Sequence, residues 1–140
     1  MIFTAKKRIH GILWKKNSMA KRQIQGLRRG DIVRVQFDPT KGHEQAGVRP
    51  ALVLSPEIIN ENYSTVMVAA ITSKRLDLIL PIEVMIEASE GGLKSDSKAL
   101  LLQTRCIDKS RIIGSYGSLT VQTMEKIDKA LAIATGLLKI

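Results

Sequence analysis

The segment GDIVRVQFDPTKGHEQAGVRPALVLSP, residues 30–56, joins one clear strand to a polar loop that ends on Arg-Pro. Val33, Val35 and Phe37 lie on one face of residues 31–37, and the residues between them lie on the other. This period of two predicts a half-buried strand. The loop that follows gathers charged and amide side chains between two strands, which is where a scaffold usually presents chemistry.

The rest of the chain reads as short strands followed by one helix. Further strands are predicted at Ala51–Leu54, Thr65–Ile71, Leu78–Ile86, Ala99–Leu102 and Ile107–Ile113, with helical turns at Glu57–Asn60 after a Ser55 cap. Apolar residues recur at three- and four-residue steps over Val121–Leu137, which predicts an amphipathic helix capped by Thr120 and ended at Gly136. The expected fold is mainly β with α: a small barrel or curled sheet closed by the C-terminal helix.

The positive charge is concentrated at the N-terminus. Residues 1–29 hold nine of the 22 Lys and Arg residues and no acid, so the remaining 111 residues carry thirteen bases against thirteen acids. We expect residues 1–29 to be a basic extension, with disorder as an open alternative, and residues 30–140 to be one domain. Such an extension would add salt-sensitive attraction to phosphates, while the domain must use individually placed charges.

Several classes of protein are disfavoured by what the sequence lacks. No stretch approaches the roughly 20 apolar residues of a membrane span, and the N-terminus has no signal-peptide core. The single cysteine, Cys106, cannot pair within the chain and is expected to be a small core or interface residue in a reducing cytoplasm. The acids are scattered and His10 lies far from His43, so neither a metal nor another cofactor is predicted.

Three separated blocks of sequence occur in the order typical of one family. They are the segment at 30–56, Ala69-Ala70-Ile71-Thr72-Ser73, and Leu102-Gln103-Thr104-Arg105. Together they resemble the MazF/PemK family of toxin endoribonucleases, from about Gly30 to the C-terminus. The resemblance implies an SH3-like barrel that dimerises, cuts single-stranded RNA at short sequences, and is neutralised by a MazE-like antitoxin with an acidic, flexible segment.

Arg49 and Thr72 are the two catalytic candidates. A guanidinium stays charged and offers a fork of donors to phosphate oxygens, and Pro50 restricts Arg49 to extended backbone. Without the family resemblance, Arg49 would be a surface arginine and Thr72 a β-branched residue at a strand end. The resemblance implies that Arg49 acts in catalysis and that the Thr72 hydroxyl donates to the scissile phosphate.

The remaining candidates lie in loops expected to read RNA, at 38–48, 73–78 and 87–98. Glu44 and Gln45 match an EQ pair of the family. Glu44 either accepts a proton in catalysis or holds the loop in place by pairing with an arginine, and the structural or substrate-positioning role is favoured. His43 could act as acid or base, although an exposed loop histidine is the commoner case. The expected RNA contacts are from Gln45, Gln103, Ser73 and Lys41.

Leu102 departs from the family pattern. It stands where an acidic residue often precedes the glutamine of relatives, so Glu44 would have to supply the acid or the protein must act without one. This departure keeps a second hypothesis open: a non-catalytic toxin or regulatory module on the same barrel that binds a protein target. Arg49 and Thr72 argue for the nuclease.

Overall fold

The computed structural model describes residues 6–9, 12–15, 26–37 and 47–140. The strands are β1 Lys6–Ile9, β2 Ile12–Lys15, β3 Asp31–Phe37, β4 Gly47–Val53, β5 Thr65–Thr72, β6 Glu83–Ile86, β7 Ser97–Asp108 and β8 Ile112–Ser118. The helices are α1 Glu57–Asn62 and α2 Val121–Ala134, with 3-10 turns at Glu90–Gly92 and Lys109–Arg111.

β1 and β2 pair with each other as an antiparallel ladder that runs from Lys6 opposite Lys15 to Ile9 opposite Ile12. The other six strands form one sheet in the order β6-β7-β5-β4-β3-β8, and every neighbouring pair is antiparallel. The predicted mainly β fold with a C-terminal helix is confirmed. Among the described strands, however, no ladder joins the edge strands β6 and β8, so the expected closed barrel is an open sheet here.

The sheet has an apolar core on each of its faces. The first core cluster joins the sheet to α2 and includes Ile32, Leu52, Ile86, Leu101 and Ile127. The second core cluster is built from sheet residues and Leu27, without α2; its members are Leu27, Val33, Val35, Ala51, Val53, Val66, Val68, Ile107 and Ile112, with Phe37 packed against them. A sheet that buries both faces in this way must curl around one of its cores.

Both predicted helices are present, although α2 is shorter than predicted and α1 runs two residues further, to Asn62, without the predicted cap. Thr120 caps α2, since its hydroxyl oxygen accepts the N–H of Thr123 at 3.2 Å. α2 ends at Ala134, three residues before the predicted end, because Gly136 takes the left-handed conformation at φ +80°. Ser55 does not cap α1; its hydroxyl instead donates to Asn60 Oδ1 at 2.5 Å and accepts the N–H of Met67.

Two strand predictions were wrong near the candidate site. β4 begins at Gly47, four residues before Ala51, so Arg49 lies within the strand and not at a loop end. The strand expected at Leu78–Ile86 is reduced to Glu83–Ile86, and ahead of it the backbone carbonyl of Leu78 accepts a hydrogen bond from the Lys98 ammonium instead of a strand N–H.

The predicted strand Ala99–Leu102 lies within β7, whereas the predicted strand Ile107–Ile113 was wrong because it spans the end of β7 and the start of β8. β7 runs without interruption through residues 97–108, and the 3-10 turn at 109–111 then separates it from β8. The apolar pattern of β7 is interrupted because the side chains of Gln103 and Arg105 are exposed. The Arg105 backbone is still paired with β5, and Gln103 lies in a bulge of the strand. Cys106 is also exposed, so it is not a core residue of the single chain.

A close backbone contact joins the turn at Glu90–Gly92 to β8. Gly92 has φ +79°, and a side chain on it would overlap the Tyr116 carbonyl. Gly117 faces the same turn, where an added Cβ would lie 2.9 Å from the Gly91 backbone. Only glycines allow the two backbones to approach so closely.

Gly92→Ala should therefore lower the free energy of unfolding by clearly more than Gly136→Ala does. The two glycines have φ of +79° and +80°, so both alanines carry the same left-handed strain, roughly 1–2 kcal/mol. Only at Gly92 would the methyl also meet a backbone carbonyl, since Gly136 has nothing within 4 Å. Urea denaturation of both variants measures the difference. Equal losses would show that the contact with β8 is unimportant.

Candidate active site

The register of three adjacent strands brings Arg49 and Thr72 together. Arg49 on β4 pairs with Val35 on β3. On the other edge of β4, Ala51 pairs with Ala70 of β5, and continuing that register by two residues sets Arg49 opposite Thr72. Directly opposed residues of antiparallel strands carry their side chains on the same face. Both side chains therefore lie on the face of the second core cluster, at its polar end, and both are half-buried.

The described contacts of Thr72 use its hydroxyl oxygen as an acceptor. Thr72 Oγ1 accepts the N–H of Lys74 at 3.1 Å. A threonine hydroxyl has one hydrogen to donate and two lone pairs, so this bond fixes the hydroxyl while leaving its hydrogen free for another acceptor. Arg49 forms no salt bridge with any carboxylate in the described part of the chain. The arrangement can thus present a cation and a hydroxyl donor on the same face of the sheet to one anion.

Arg105 is a further candidate that the sequence reasoning did not single out. It pairs with Val68 of β5, which places it on the same face as Arg49 and Thr72. Its guanidinium carbon lies 5.2 Å from the centre of the Phe37 ring, across the curl of the sheet from β7 to β3. Such an exposed cation–π contact contributes about 0.5–1 kcal/mol and restrains the arginine. The only signal in the sequence was its position in the Leu-Gln-Thr-Arg block.

Gln103 and Leu102 lie in a bulge of β7. Ala69 of β5 pairs with Thr104 and the next residue, Ala70, pairs with Leu100, so three residues of β7 have no partner on β5. The Thr104 hydroxyl donates to the Leu101 carbonyl at 2.6 Å and so closes the bulge. Leu102 is 69% exposed and Gln103 is also exposed. A bulge exposes side chains that regular pairing would direct into the sheet.

Of the other site residues predicted from the sequence, one lies within the described residues and four lie outside them. Ser73 is exposed and directly follows Thr72 at the end of β5. Lys41, His43, Glu44 and Gln45 lie outside the described residues. Phe37 and Gly47, which flank the segment 38–46, are paired with each other only two positions along from the Val35–Arg49 pair. Both ends of that segment therefore meet beside Arg49.

A cavity of about 510 Å³ lies elsewhere, between β6 and α2, and neither Arg49 nor Thr72 lines it. Among the residues that the structure describes, no three His, Cys, Asp or Glu side chains come together as a metal site would require. No described helix is both long and apolar enough to cross a membrane.

Comparison with known proteins decides the family. The sequence profile of the PemK-like, MazF-like toxins of type II toxin–antitoxin systems matches residues 28–135. The chain belongs to this family. It is also 40% identical, over 112 residues, to the endoribonuclease EndoA of Bacillus subtilis (strain 168), a match that covers 80% of this chain and 97% of that protein.

Solved structures of toxins agree with this assignment. A MazE–MazF complex from Deinococcus radiodurans superimposes with a TM-score of 0.67 at 28% identity, covering 80% of this chain and 97% of that one. A mycobacterial endoribonuclease in complex with its cognate antitoxin superimposes with a TM-score of 0.66 at 25% identity, covering 82% and 100%. The predicted family is therefore confirmed, and the open six-stranded sheet with its C-terminal helix is a MazF-like fold.

Proposed function

We propose that this protein is the toxin of a toxin–antitoxin pair, an endoribonuclease that cuts single-stranded RNA at short sequences without a metal ion. The observation that carries the proposal is that Arg49 and Thr72 lie on the same face of adjacent strands. The β4–β5 register, continued two residues beyond the Ala51–Ala70 pair, sets them opposite each other. The membership of the PemK-like, MazF-like family and the likeness to the B. subtilis endoribonuclease support it.

The chemistry follows from what cleavage of an RNA backbone requires. The 2′-OH attacks the neighbouring phosphorus after losing its proton, and the bond to the 5′-oxygen breaks as that oxygen gains a proton. The products are a 2′,3′-cyclic phosphate and a free 5′-OH. Arg49 stabilises the extra negative charge of the phosphorane, and Thr72 donates a hydrogen bond to one of its oxygens. Glu44 and His43 are the candidates for proton transfer or for positioning the substrate.

Binding of the RNA would extend beyond these two residues. Single-stranded RNA is recognised through splayed bases and the backbone, so several loops and strand ends must contribute. Gln103 at the bulge and Ser73 after β5 are both exposed, as this role needs. Lys41 and Gln45 complete the proposed contacts, and Arg105 adds a cation restrained by Phe37 on the same face.

The proposed toxin also has an oligomeric state, a partner and a location in the cell. We infer that a MazE-like antitoxin neutralises this toxin, and the solved complexes of related toxins with their antitoxins support this partner. We also propose that the toxin is a cytoplasmic homodimer. An acidic antitoxin segment would compete with RNA for Arg49 and Arg105. The curl of the sheet, which brings Arg105 of β7 to Phe37 of β3, supports an SH3-like barrel that the described ladders leave open.

The rival function is a non-catalytic toxin or regulatory module that binds a protein target. The exposed Leu102, where relatives often carry an acid, is the observation in its favour. Incubating the purified protein with a long RNA in the presence of a chelator and mapping the new 5′ ends separates the two functions. The nuclease produces discrete ends at a recurring short sequence, whereas the binding module leaves the RNA intact.

Arg49→Ala should reduce cleavage about a hundred- to thousandfold, because removing one stabilising donor costs roughly 2.7–4 kcal/mol in the transition state. Arg49→Lys should restore little, since lysine keeps the charge but loses the two-pronged fork. Arg34→Ala is the matched control: Arg34 is exposed on β3, opposite Pro50, and so on the other face of the sheet. Initial rates on one RNA measure all three variants. An Arg49→Ala rate near that of Arg34→Ala would exclude the assigned role.

Cleavage should persist in excess EDTA and should stop when the nucleotide at the cut carries deoxyribose or 2′-O-methyl ribose. The attacking oxygen is absent in the first substrate and blocked in the second. A nuclease that activates water on a metal needs no 2′-OH, so it would behave in the opposite way. The downstream product should accept a label from a kinase without phosphatase treatment. A 5′-phosphate on that product would rule the mechanism out.

Deleting residues 1–18, which precede a second possible start at Met19, should leave a folded and active toxin, because we propose that the basic extension contributes nothing to the domain that begins near residue 30. The family match begins at residue 28 and Leu27 packs into the second core cluster, so the deletion stops short of both. Only the affinity for RNA at low salt should fall, since the lost charges act through the phosphates without regard to sequence. Binding measured at two salt concentrations tests this. Loss of folding, or loss of activity at both salt concentrations, would show that residues 1–18 belong to the domain.

A further inference from the structure

Lys98 is a buried lysine whose ammonium is fully satisfied. It pairs with Thr72 in the ladder between β5 and β7, and its side chain is only 6% exposed. Its Nζ donates to the carbonyl oxygens of Arg75 and Leu78 and to Glu83 Oε1, each at 2.8 Å. An ammonium has three hydrogens to donate, so all three are used. Two of them bind the backbone of the loop that follows Thr72.

Glu83 binds the same loop from its other end. Its Oε1 also accepts the N–H of Leu80 at 3.1 Å, and its own N–H donates to the Leu80 carbonyl at 2.9 Å. The Glu83 side chain is 12% exposed, and the hydrogen bond from Lys98 holds the pKa of its carboxyl below the usual range. The Glu83 carboxylate is therefore charged at neutral pH, and the two side chains together bind the backbone of the loop at residues 73–82 at three points, namely Arg75, Leu78 and Leu80.

The other contacts of this loop are limited. Leu78, Ile79 and Leu80 are exposed, while Leu76 and Ile82 are half-buried and the Ile82 carbonyl accepts the N–H of Leu101 at 3.0 Å. Arg75 has φ +57°, an unfavourable conformation for a residue with a side chain. The salt bridge between Arg75 and Asp77 is exposed at both ends, and such pairs contribute little. The buried Lys98–Glu83 pair thus supplies the hydrogen bonds that tie the stretch from Arg75 to Leu80 to the sheet.

We infer that Lys98 and Glu83 are positioning residues that fix the loop at 73–82 beside Thr72 and thereby set which RNA sequences are cleaved. This inference rests on the proposed function, because the loop is one of those expected to read RNA. A buried ion pair seldom adds much net stability compared with an apolar pair of the same size. What it does add is one defined geometry, since its partners must meet at fixed distances and angles.

The test compares three variants with the parent protein. Lys98→Met removes the ammonium and keeps an unbranched apolar chain, and Glu83→Gln keeps an acceptor oxygen but removes the charge. Lys109→Met is the matched control. Lys109 is 4% exposed, which is as buried as Lys98, but it lies beyond the far end of β7 and its Nζ has no hydrogen-bond partner among the described residues.

Two measurements are made on each variant. The first is kcat/KM on the preferred RNA sequence and on the same RNA with one base of that sequence changed, with 5′-end mapping of a long RNA. The second is amide hydrogen exchange of residues 73–82 relative to the strands of the core. Weaker folding alone lowers the rates on both RNAs together, whereas a displaced loop changes their ratio.

Lys98→Met should lower kcat/KM on the preferred RNA about ten- to a hundredfold, as expected for a misplaced binding element. It should also lower the preference over the altered RNA and speed exchange at 73–82. Glu83→Gln should show the same changes to a smaller extent, and Lys109→Met should show none of them. Unchanged preference and unchanged exchange in Lys98→Met would overturn the inference.

The same variants and measurements also cover two further outcomes. If Lys98→Met does not fold, Glu83→Gln decides, and a parental ratio and parental exchange in that variant overturn the inference. If the parent cuts no RNA, the proposed function fails, while amide exchange still tests the control of the loop by the pair. Faster exchange at 73–82 in Lys98→Met, but not in Lys109→Met, would then show that the Lys98–Glu83 pair orders the loop even though the protein is not a nuclease.

Discussion

The C-terminal half of strand β4, residues 51–53, is enclosed on every side, and the candidate site depends on this constraint. Its Ala51, Leu52 and Val53 are fully buried, alternately in the two core clusters, and β3 and β5 pair with its two edges. A slip of one residue in either ladder would move the apolar side chains of a strand to the wrong face, so the register is strongly specified. Arg49 lies two residues before Ala51 on the same face. The packing of the core therefore aligns Arg49 with Thr72 although neither residue is part of the core.

The sequence predicted those features that have a local cause. β3 was placed correctly because its alternation lies within one half-buried strand, and α2 because Thr120 caps an apolar stripe of helical period. The loop at 78–82 was mistaken for strand because its exposed apolar residues look like those of a strand. The backbone carbonyl of Leu78 instead accepts a hydrogen bond from the Lys98 ammonium, twenty residues away in the chain. No local pattern contains that contact.

The same distinction applies to the site. Arg49 and Thr72 could be identified from the family blocks, but their alignment required the registers of two ladders. Arg105 was not identified, because its relation to Phe37 arises only when the sheet curls and brings β7 towards β3. The bulge that exposes Gln103 was also invisible, since the residues around it read as a break between strands. Non-local contacts account for each of these differences.

The position of Leu102 bears on which residue could transfer a proton in the proposed nuclease. It is 69% exposed at a bulge, so its apolar side chain contributes little to the core, and an acid there would not have been excluded by burial. A leucine thus stands at an accessible position where the family resemblance implies an acid. In the proposed nuclease the base would come from another element, and Phe37 and Gly47, which flank residues 38–46, pair two positions from Arg49. Residues 38–46 include Glu44 and His43, so in that proposal proton transfer and charge stabilisation would both depend on the junction of β3 with β4, while the inferred role of the Lys98–Glu83 pair concerns the loop beyond Thr72.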